Sequence, residues 1–297
     1  MIDKLLRFSL SEEEFAQLRS GSCANTDLWR MANDIGVRSR FSYALAQAEA
    51  VVTGAEPAGI PAQIVQFWDS AVIPFDVALV MDTWVCGEPS FSYIRFSDIT
   101  ARSFIAEHYA QRYSDAYEYC HHPAMRSDYF RLAYLAQNGG IYIDADEARI
   151  ANRLSPIVSY PAPLQLKLLV WDWKPGRMVP RREHERGEFR EDFVYYFSNA
   201  FIACTRHHPF LRIALDEATA LVLEAKREKR RANIHDTTGP MHITRCFVYF
   251  VLASVNAAVD LSGIRIIDRE EISETKHLGY QNDDRNWRRN AVLYRRS

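Results

Sequence analysis

Cysteine is sparse and scattered in this 297-residue chain: Cys23, Cys86, Cys120, Cys204 and Cys246 lie far apart, with no Cys-x-x-Cys pair. An odd, dispersed set argues against a disulfide framework or a cysteine zinc site, and it suggests buried thiols in a reducing compartment. Net charge is nearly absent as well. A formal value of −2 argues against a chain dedicated to nucleic acid, which would be markedly basic. Long apolar runs are missing: the longest, Phe247 to Val259, is too short to span a bilayer and carries Ser254 and Asn256. Met1-Ile2-Asp3-Lys4 leads into a short amphipathic stretch rather than the apolar core of a signal peptide. Internal repeats are not visible. These absences set the expectation of a cytoplasmic, soluble protein that can still work at the inner face of a membrane.

What is present suits an ordinary globular protein. Apolar residues make up 48% and charged residues 25% of the chain. A chain of this length can bury about 75% of its unfolded surface, so it needs neither disulfide nor metal to fold. Residues 1–56 read as a helical extension, opened by a capping box in which Ser11 is paired with Glu14. Helical spacing continues from Leu28 to Val52, and Gly54 to Gly59 forms a break. Residues 57–297 then alternate strands with helices. Strands are expected at Ile60–Trp68, Tyr93–Phe96, Leu164–Trp171, Phe193–Cys204 and Ile264–Ile267. Helices are expected at Phe75–Val85, Asp98 towards Tyr113, Ala124–Gln137, Pro209–Arg231 and Met241–Ala258. The pattern indicates an α/β sheet flanked by helices.

One stretch carries chemistry. In Asn138-Gly139-Gly140-Ile141-Tyr142-Ile143-Asp144-Ala145-Asp146 a helix stops at a Gly-Gly turn, and a short apolar strand follows that closes on two carboxylates. In a strand Asp144 and Asp146 share one face. Two such charges repel by about 4 kcal/mol at 4 Å and an effective dielectric of 20. A divalent cation at the carboxyl end of the strand would compensate them, at the place where open α/β sheets hold their ligands. Upstream, Asp128 and Arg131 are three residues apart and share a helix face. Taken alone they would be a surface ion pair worth a few tenths of a kcal/mol. Placed before the Gly-Gly turn, they are expected to face the same cleft as the two aspartates.

The ordered set Ser127-Asp128-x-x-Arg131, then Gly139-Gly140-x-Tyr142-x-Asp144-x-Asp146, resembles the sugar-binding Asp-x-Asp region of glycosyltransferase family 32. That family includes fungal mannosyltransferases and bacterial capsule and lipooligosaccharide enzymes, and it is related to the large glucosylating toxins. Ile60-Pro61-x-x-Ile64-x-Gln66-x-Trp68 looks like its opening strand. Asn199 with His208-Pro209-Phe210, and Thr238-Gly239-Pro240, resemble further family segments. The resemblance implies a GT-A-like nucleotide-sugar-binding sheet and a Mn²⁺ or Mg²⁺ ion held by Asp144 and Asp146. It also implies a nucleoside-diphosphate sugar donor, with UDP favoured.

Asp128, Arg131 and Asn199 are the implied catalytic residues; Trp68, Asp128, Arg131, Asp144 and Trp287 would contact the donor. Trp68 could equally be a core residue. A third metal ligand is expected from the C-terminal region, with His277 first and Asp284 second, beside Asp283. The family more often shows Ser-Trp after a His, where this chain has Asn286-Trp287. His242 is expected to be a helix residue without metal duty. Family members retain the anomeric configuration, implying front-face displacement.

An apolar strand ending in Asp-x-Asp also opens haloacid-dehalogenase phosphatases, although these normally continue with Gly-Thr where this chain has Glu147-Ala148. A catalytically silent sugar-nucleotide-binding protein is the non-enzymatic alternative. The acceptor implied is a glycan, a lipid-linked molecule or a protein, and no nucleic-acid partner is expected. The basic run Lys226 to Arg231 reads as a solvated helix end. With Arg285, Arg288, Arg289, Arg295 and Arg296 it could also touch anionic lipid, a peripheral membrane contact.

Overall fold

Short helices fill the N-terminal part, two of them opened by side-chain caps at Ser11 and Asp34. In a computed structural model, which describes residues 2–48, 50–51, 56–150, 154–180, 183, 188–259, 263–267, 272–283 and 286, the chain opens with α1 (Ile2–Ser9), α2 (Glu12–Arg19), α3 (Asn25–Asn33) and α4 (Ile35–Gln47). The Ser11–Glu14 capping box forms as expected. The continuous helix expected from Leu28 is broken instead. Asp34 is extended and accepts a hydrogen bond from the Val37 amide at 2.8 Å, ending α3 and capping α4. Residues 50–51 then form a strand, β1 (Ala50–Val51).

The remaining elements alternate. They are β2 (Gln63–Phe67), α5 (Phe75–Gly87), β3 (Ser92–Phe96), α6 (Asp98–His108), α7 (Gln111–Tyr119), α8 (Pro123–Asn138), β4 (Gly140–Ile143), β5 (Glu147–Arg149) and α9 (Ser155–Ser159). They continue with β6 (Leu164–Asp172), β7 (Arg177–Met178), β8 (Phe193–Cys204), α10 (Pro209–Arg227), α11 (Ile234–Thr237), α12 (Pro240–Asn256), β9 (Ile264–Ile267) and β10 (Ser273–Thr275).

Two expected helices differ in length. The helix from Asp98 stops at His108 because Tyr109 turns extended and donates its hydroxyl to the Ala133 carbonyl at 2.6 Å. The helix from Pro209 stops at Arg227, two residues before Lys229 takes a left-handed φ of 55°.

The main sheet runs in the order β1-β9-β6-β8-β4-β2-β3, with β7 paired to β6. β3, β2 and β4 are mutually parallel, β8 is antiparallel to both β4 and β6, and β9 is parallel to β6. The carboxyl ends of β2, β3, β4, β6 and β9 therefore share one edge. β5 and β10 form a separate two-stranded ribbon. The largest apolar cluster joins Leu6, Leu18 and Phe41 of the N-terminal helices to Phe130 of α8, Phe197 of β8 and Phe247 of α12. Four of the five cysteines are buried thiols and Cys86 is exposed.

Candidate active site

The backbone around β4 depends on two glycines. Gly139 has φ 64° and ψ −159°, a region that side chains do not enter, and a Cβ there would stand 2.6 Å from the Arg206 nitrogen. Gly140 has φ 100°, and a Cβ on it would approach the Gln63 carbonyl to 3.1 Å. Helix α8 can thus end beside β8 and feed β4 into the middle of the sheet. β4 is fully buried and ends at Ile143. The Asp144 amide still donates to the Ala200 carbonyl at 2.9 Å, after which Asp144-Ala145-Asp146 turn, with the Glu147 amide returning to the Asp144 carbonyl at 3.1 Å. The two aspartates are therefore in a turn rather than in the strand. They are nonetheless partly exposed, while Ala145 and Glu147 are buried.

Arg131 is the centre of the site. Its side chain is 2% exposed, and Nη2 lies 2.8 Å from Asp144 Oδ1 and 2.8 Å from Asp128 Oδ1. Nη2 also donates to Ser127 Oγ at 3.3 Å, and Nη1 donates to the Asn199 carbonyl. The guanidinium carbon stacks 4.4 Å from the centre of the Tyr142 ring, whose hydroxyl shares a 2.7 Å hydrogen bond with Ser127. Burial works against the cation, but Asp144, Tyr142 and Asp128 outweigh it and raise its pKa above the ordinary arginine value. The solvated surface pair weighed for Asp128 and Arg131 is thus replaced by a buried network. Arg131 also neutralises Asp144, so a metal is not required to balance that carboxylate.

Asn199 reaches the network through a bulge. In the β6–β8 ladder Leu166 pairs with Ile202 but Lys167 pairs with Ser198, leaving three β8 residues, Asn199 to Phe201, without partners in β6. This aims the Asn199 amide at Asp128 Oδ1, at 2.8 Å. Thr238, preceding α12, donates to Asp128 Oδ2 at 3.4 Å. Gln66 of β2 donates to the Asp144 carbonyl at 3.1 Å and accepts from the Tyr93 hydroxyl at 2.9 Å. Four residues singled out in the sequence, Asp128, Arg131, Asn199 and Asp144, thus share one hydrogen-bonded group.

Asp146 has other company. Its Oδ2 accepts from the Tyr280 hydroxyl at 2.9 Å and from Gln281 Nε2 at 3.1 Å, and its carbonyl accepts from the Lys276 amide at 2.8 Å. Burial, and then the nearby Asp146 charge, raise the Tyr280 pKa and keep the phenol protonated as a donor. Trp68 is buried in a cluster with Val77, Met81 and Leu278 and meets the Tyr280 ring edge-on at 5.3 Å. It thus packs against Leu278 and Tyr280, in the segment whose side chains bond Asp146. Tyr280 and Gln281 were missed in the sequence because nothing local ties them to a motif more than 130 residues away. Ser127, Tyr142 and Thr238 were visible as motif letters without assigned roles.

His277 is exposed, and the described residues hold no group of three or more His, Cys, Asp or Glu that could bind a metal. Asp283 is exposed, while Asp284, Trp287 and the arginines at 285, 288, 289, 295 and 296 lie outside the described residues. His242 is fully buried in α12, with Nε2 2.8 Å from the Ala214 carbonyl. The two aspartates still suit Mg²⁺ or Mn²⁺ chemically. They are hard oxygen donors at a partly exposed turn, and such ions commonly use one or two carboxylates and complete their shell with substrate phosphates and water. No helix among the described residues is long and apolar enough to cross a membrane.

Comparison with known proteins finds likenesses over parts of the chain. The chain is 35% identical over 74 residues to a mannosyl phosphorylinositol ceramide synthase of Saccharomyces cerevisiae, covering 25% of this chain and 19% of that protein. It is 25% identical over 185 residues to the initiation-specific alpha-1,6-mannosyltransferase of Schizosaccharomyces pombe, covering 58% of this chain and 45% of that protein. The chain thus spans less than half the length of either relative. Among solved structures, the PaToxG glycosyltransferase superposes with a TM-score of 0.42 at 19% identity, over 80% of this chain and 89% of that one. The family model named "glycosyltransferase sugar-binding region containing DXD motif" matches residues 74–159, the stretch that holds Asp128, Arg131, Asp144 and Asp146.

Proposed function

We propose that the chain is a metal-dependent, retaining glycosyltransferase that moves a hexose from a nucleoside-diphosphate sugar to a glycan, lipid-linked or protein acceptor. The observation that carries this reading is the Asp128–Arg131–Asn199–Asp144 network around the buried Arg131, at the carboxyl edge of the sheet, with Asp146 beside it. Two carboxylates, Asp128 and Asp144, share one guanidinium, and with Asp146 beside them the site keeps an acidic excess suited to a divalent cation. When bound between Asp144 and Asp146, that cation would neutralise the charge developing on the diphosphate leaving group.

The residues of the chain do the rest. Arg131 orients Asp144 and Asp128 from beneath. Asn199 and Thr238 fix the Asp128 carboxylate where it can accept hydrogen bonds from donor-sugar hydroxyls. Both Asp128 oxygens are already engaged, which supports attack by the acceptor on the face the diphosphate leaves over a covalent intermediate. The names of the relatives put mannose first among sugars. UDP is the nucleotide favoured from the sequence, with GDP as the competing choice. The phosphatase reading has no support among the relatives, whose names are those of glycosyltransferases. We further propose a cytoplasmic location with peripheral contact to anionic lipid.

The test is a panel of UDP- and GDP-sugars incubated with Mn²⁺, with Mg²⁺ and with EDTA, reading release of nucleoside diphosphate. One sugar nucleotide should be hydrolysed or transferred only with metal, and NMR of the product should show a retained anomeric configuration. Release of phosphate from a generic ester with no action on any sugar nucleotide would refute the proposal. An inverted product would refute its stereochemical part.

A further inference from the structure

Directly after Asp146 stands a buried charge that the chemistry above does not use. Glu147 is 3% exposed, and its carboxylate accepts from Lys167 Nζ at 2.8 Å, from Thr275 Oγ1 at 2.5 Å and from Ser273 Oγ. Lys167, itself 2% exposed, lies at the β6–β8 bulge and also donates to Ser273 Oγ at 2.8 Å. Burial works against the Glu147 charge, but Lys167, Ser273 and Thr275 together outweigh it and hold its pKa below the usual carboxylate value. Three elements meet at this pair: β6 supplies the cation, β5 the anion and β10 the two hydroxyls.

The ribbon that the pair joins is small. β5 and β10 share three residue pairs, Glu147 with Thr275, Ala148 with Glu274 and Arg149 with Ser273. A two-stranded ribbon is marginal by itself in water. Its far side is fastened by Arg149, whose Nε donates to Glu88 at 2.8 Å, and by Trp84, whose indole donates to the Glu147 carbonyl at 2.6 Å. Beyond β10 the chain is hydrogen-bonded to Asp146 at three points and to Asp76 at one. The Lys276 amide bonds the Asp146 carbonyl, the Gly279 amide bonds Asp76 at 2.7 Å, and Tyr280 and Gln281 both grip Asp146 Oδ2.

We propose, building on the sugar-nucleotide reading, that the Lys167–Glu147 pair is a positioning clasp. It fastens β10 in register, and so sets the strap 276–283 and the Tyr280 and Gln281 donors on the proposed metal ligand Asp146. A buried pair adds little stability over an apolar replacement. Its effect here is on where the strap sits.

The experiment compares wild type with the double variant Glu147→Gln/Lys167→Met, which removes both charges together. Ser273→Ala/Thr275→Val is the second variant; it weakens the grip on β10 and leaves the ion pair in place. Two quantities are read: amide hydrogen exchange across 272–283, and Mn²⁺ affinity from the free-ion paramagnetic resonance signal in the presence of UDP and, separately, of GDP. Exchange in the strap should rise at least tenfold while α8 and β4 stay protected, and Mn²⁺ affinity should fall at least fivefold. If the charge variant does not fold, the hydroxyl variant decides. Unchanged strap exchange overturns the clasp, as does faster exchange with undiminished Mn²⁺ affinity. Wild type that binds no Mn²⁺ with either nucleotide overturns the metal site itself, a failure distinct from that of the clasp alone.

Discussion

Arg131 shows how burial changes the meaning of a residue pair. Spaced three apart on a helix, Asp128 and Arg131 would contribute little in solvent. With the guanidinium 2% exposed and shared among Asp128, Asp144, Ser127 and the Asn199 carbonyl, its removal leaves two carboxylates without their cation. Arg131→Met should therefore destabilise the fold by about 3–5 kcal/mol, read from urea unfolding at neutral pH. Arg131→Lys should not restore the loss, because one ammonium cannot reproduce the planar fork that meets these acceptors. A cost below about 1 kcal/mol for Arg131→Met would mean that the network is not formed in solution. The pairing of Asp128 and Arg131 was legible from spacing and from the Gly-Gly turn that follows. Its burial was not, since the covering residues come from β8 and from the segment before α12.

At the scale of elements, the Gly139-Gly140 turn decides whether β4 can enter the sheet. The conformation of Gly139 is one that only glycine adopts readily, and its Cβ position is already filled by the Arg206 nitrogen and the Cys204 carbonyl. Gly139→Ala should cost at least ~1–3 kcal/mol in the same unfolding measurement. A neutral substitution would contradict the observed turn. Local pattern gave β8 and β9 with the observed limits, because Phe193–Cys204 and Ile264–Ile267 are apolar runs bounded by breakers. Pattern could not give the bulge at Asn199, which reflects a mismatch between two ladders rather than any residue type. Nor could it give the arrival of β10 beside β5, a contact between segments more than 120 residues apart.

For the whole molecule, buried histidines set the acid limit. Burial lowers the His208 pKa from the ordinary 6.5 to about 4; burial, then Arg245, lowers that of His242 to about 3. Below pH 6.5 the unfolded chain takes up protons at these positions that the folded chain refuses, so stability falls as the pH drops towards those values. For His208 the full loss is roughly 3 kcal/mol. His208 caps α10, its ring nitrogen accepting from the Phe210 amide at 3.3 Å, and asparagine can serve the same cap. His208→Asn should match wild type near neutral pH and be less acid-sensitive between pH 6.5 and 4. Equal sensitivity would exclude His208 as a source of the acid loss.

The central claim is that the carboxylates at the end of β4 hold a metal for a sugar nucleotide. It is tested most directly by nucleoside-diphosphate release from the sugar nucleotide that the panel selects, comparing wild type with Asp146→Ala in Mn²⁺ and in EDTA. Wild type should be active only with Mn²⁺. Asp146→Ala should lose about 100-fold or more of that activity, the scale expected when a group stabilising transition-state charge is removed. Full Mn²⁺-dependent activity in Asp146→Ala, or wild-type activity that survives EDTA, would contradict the account.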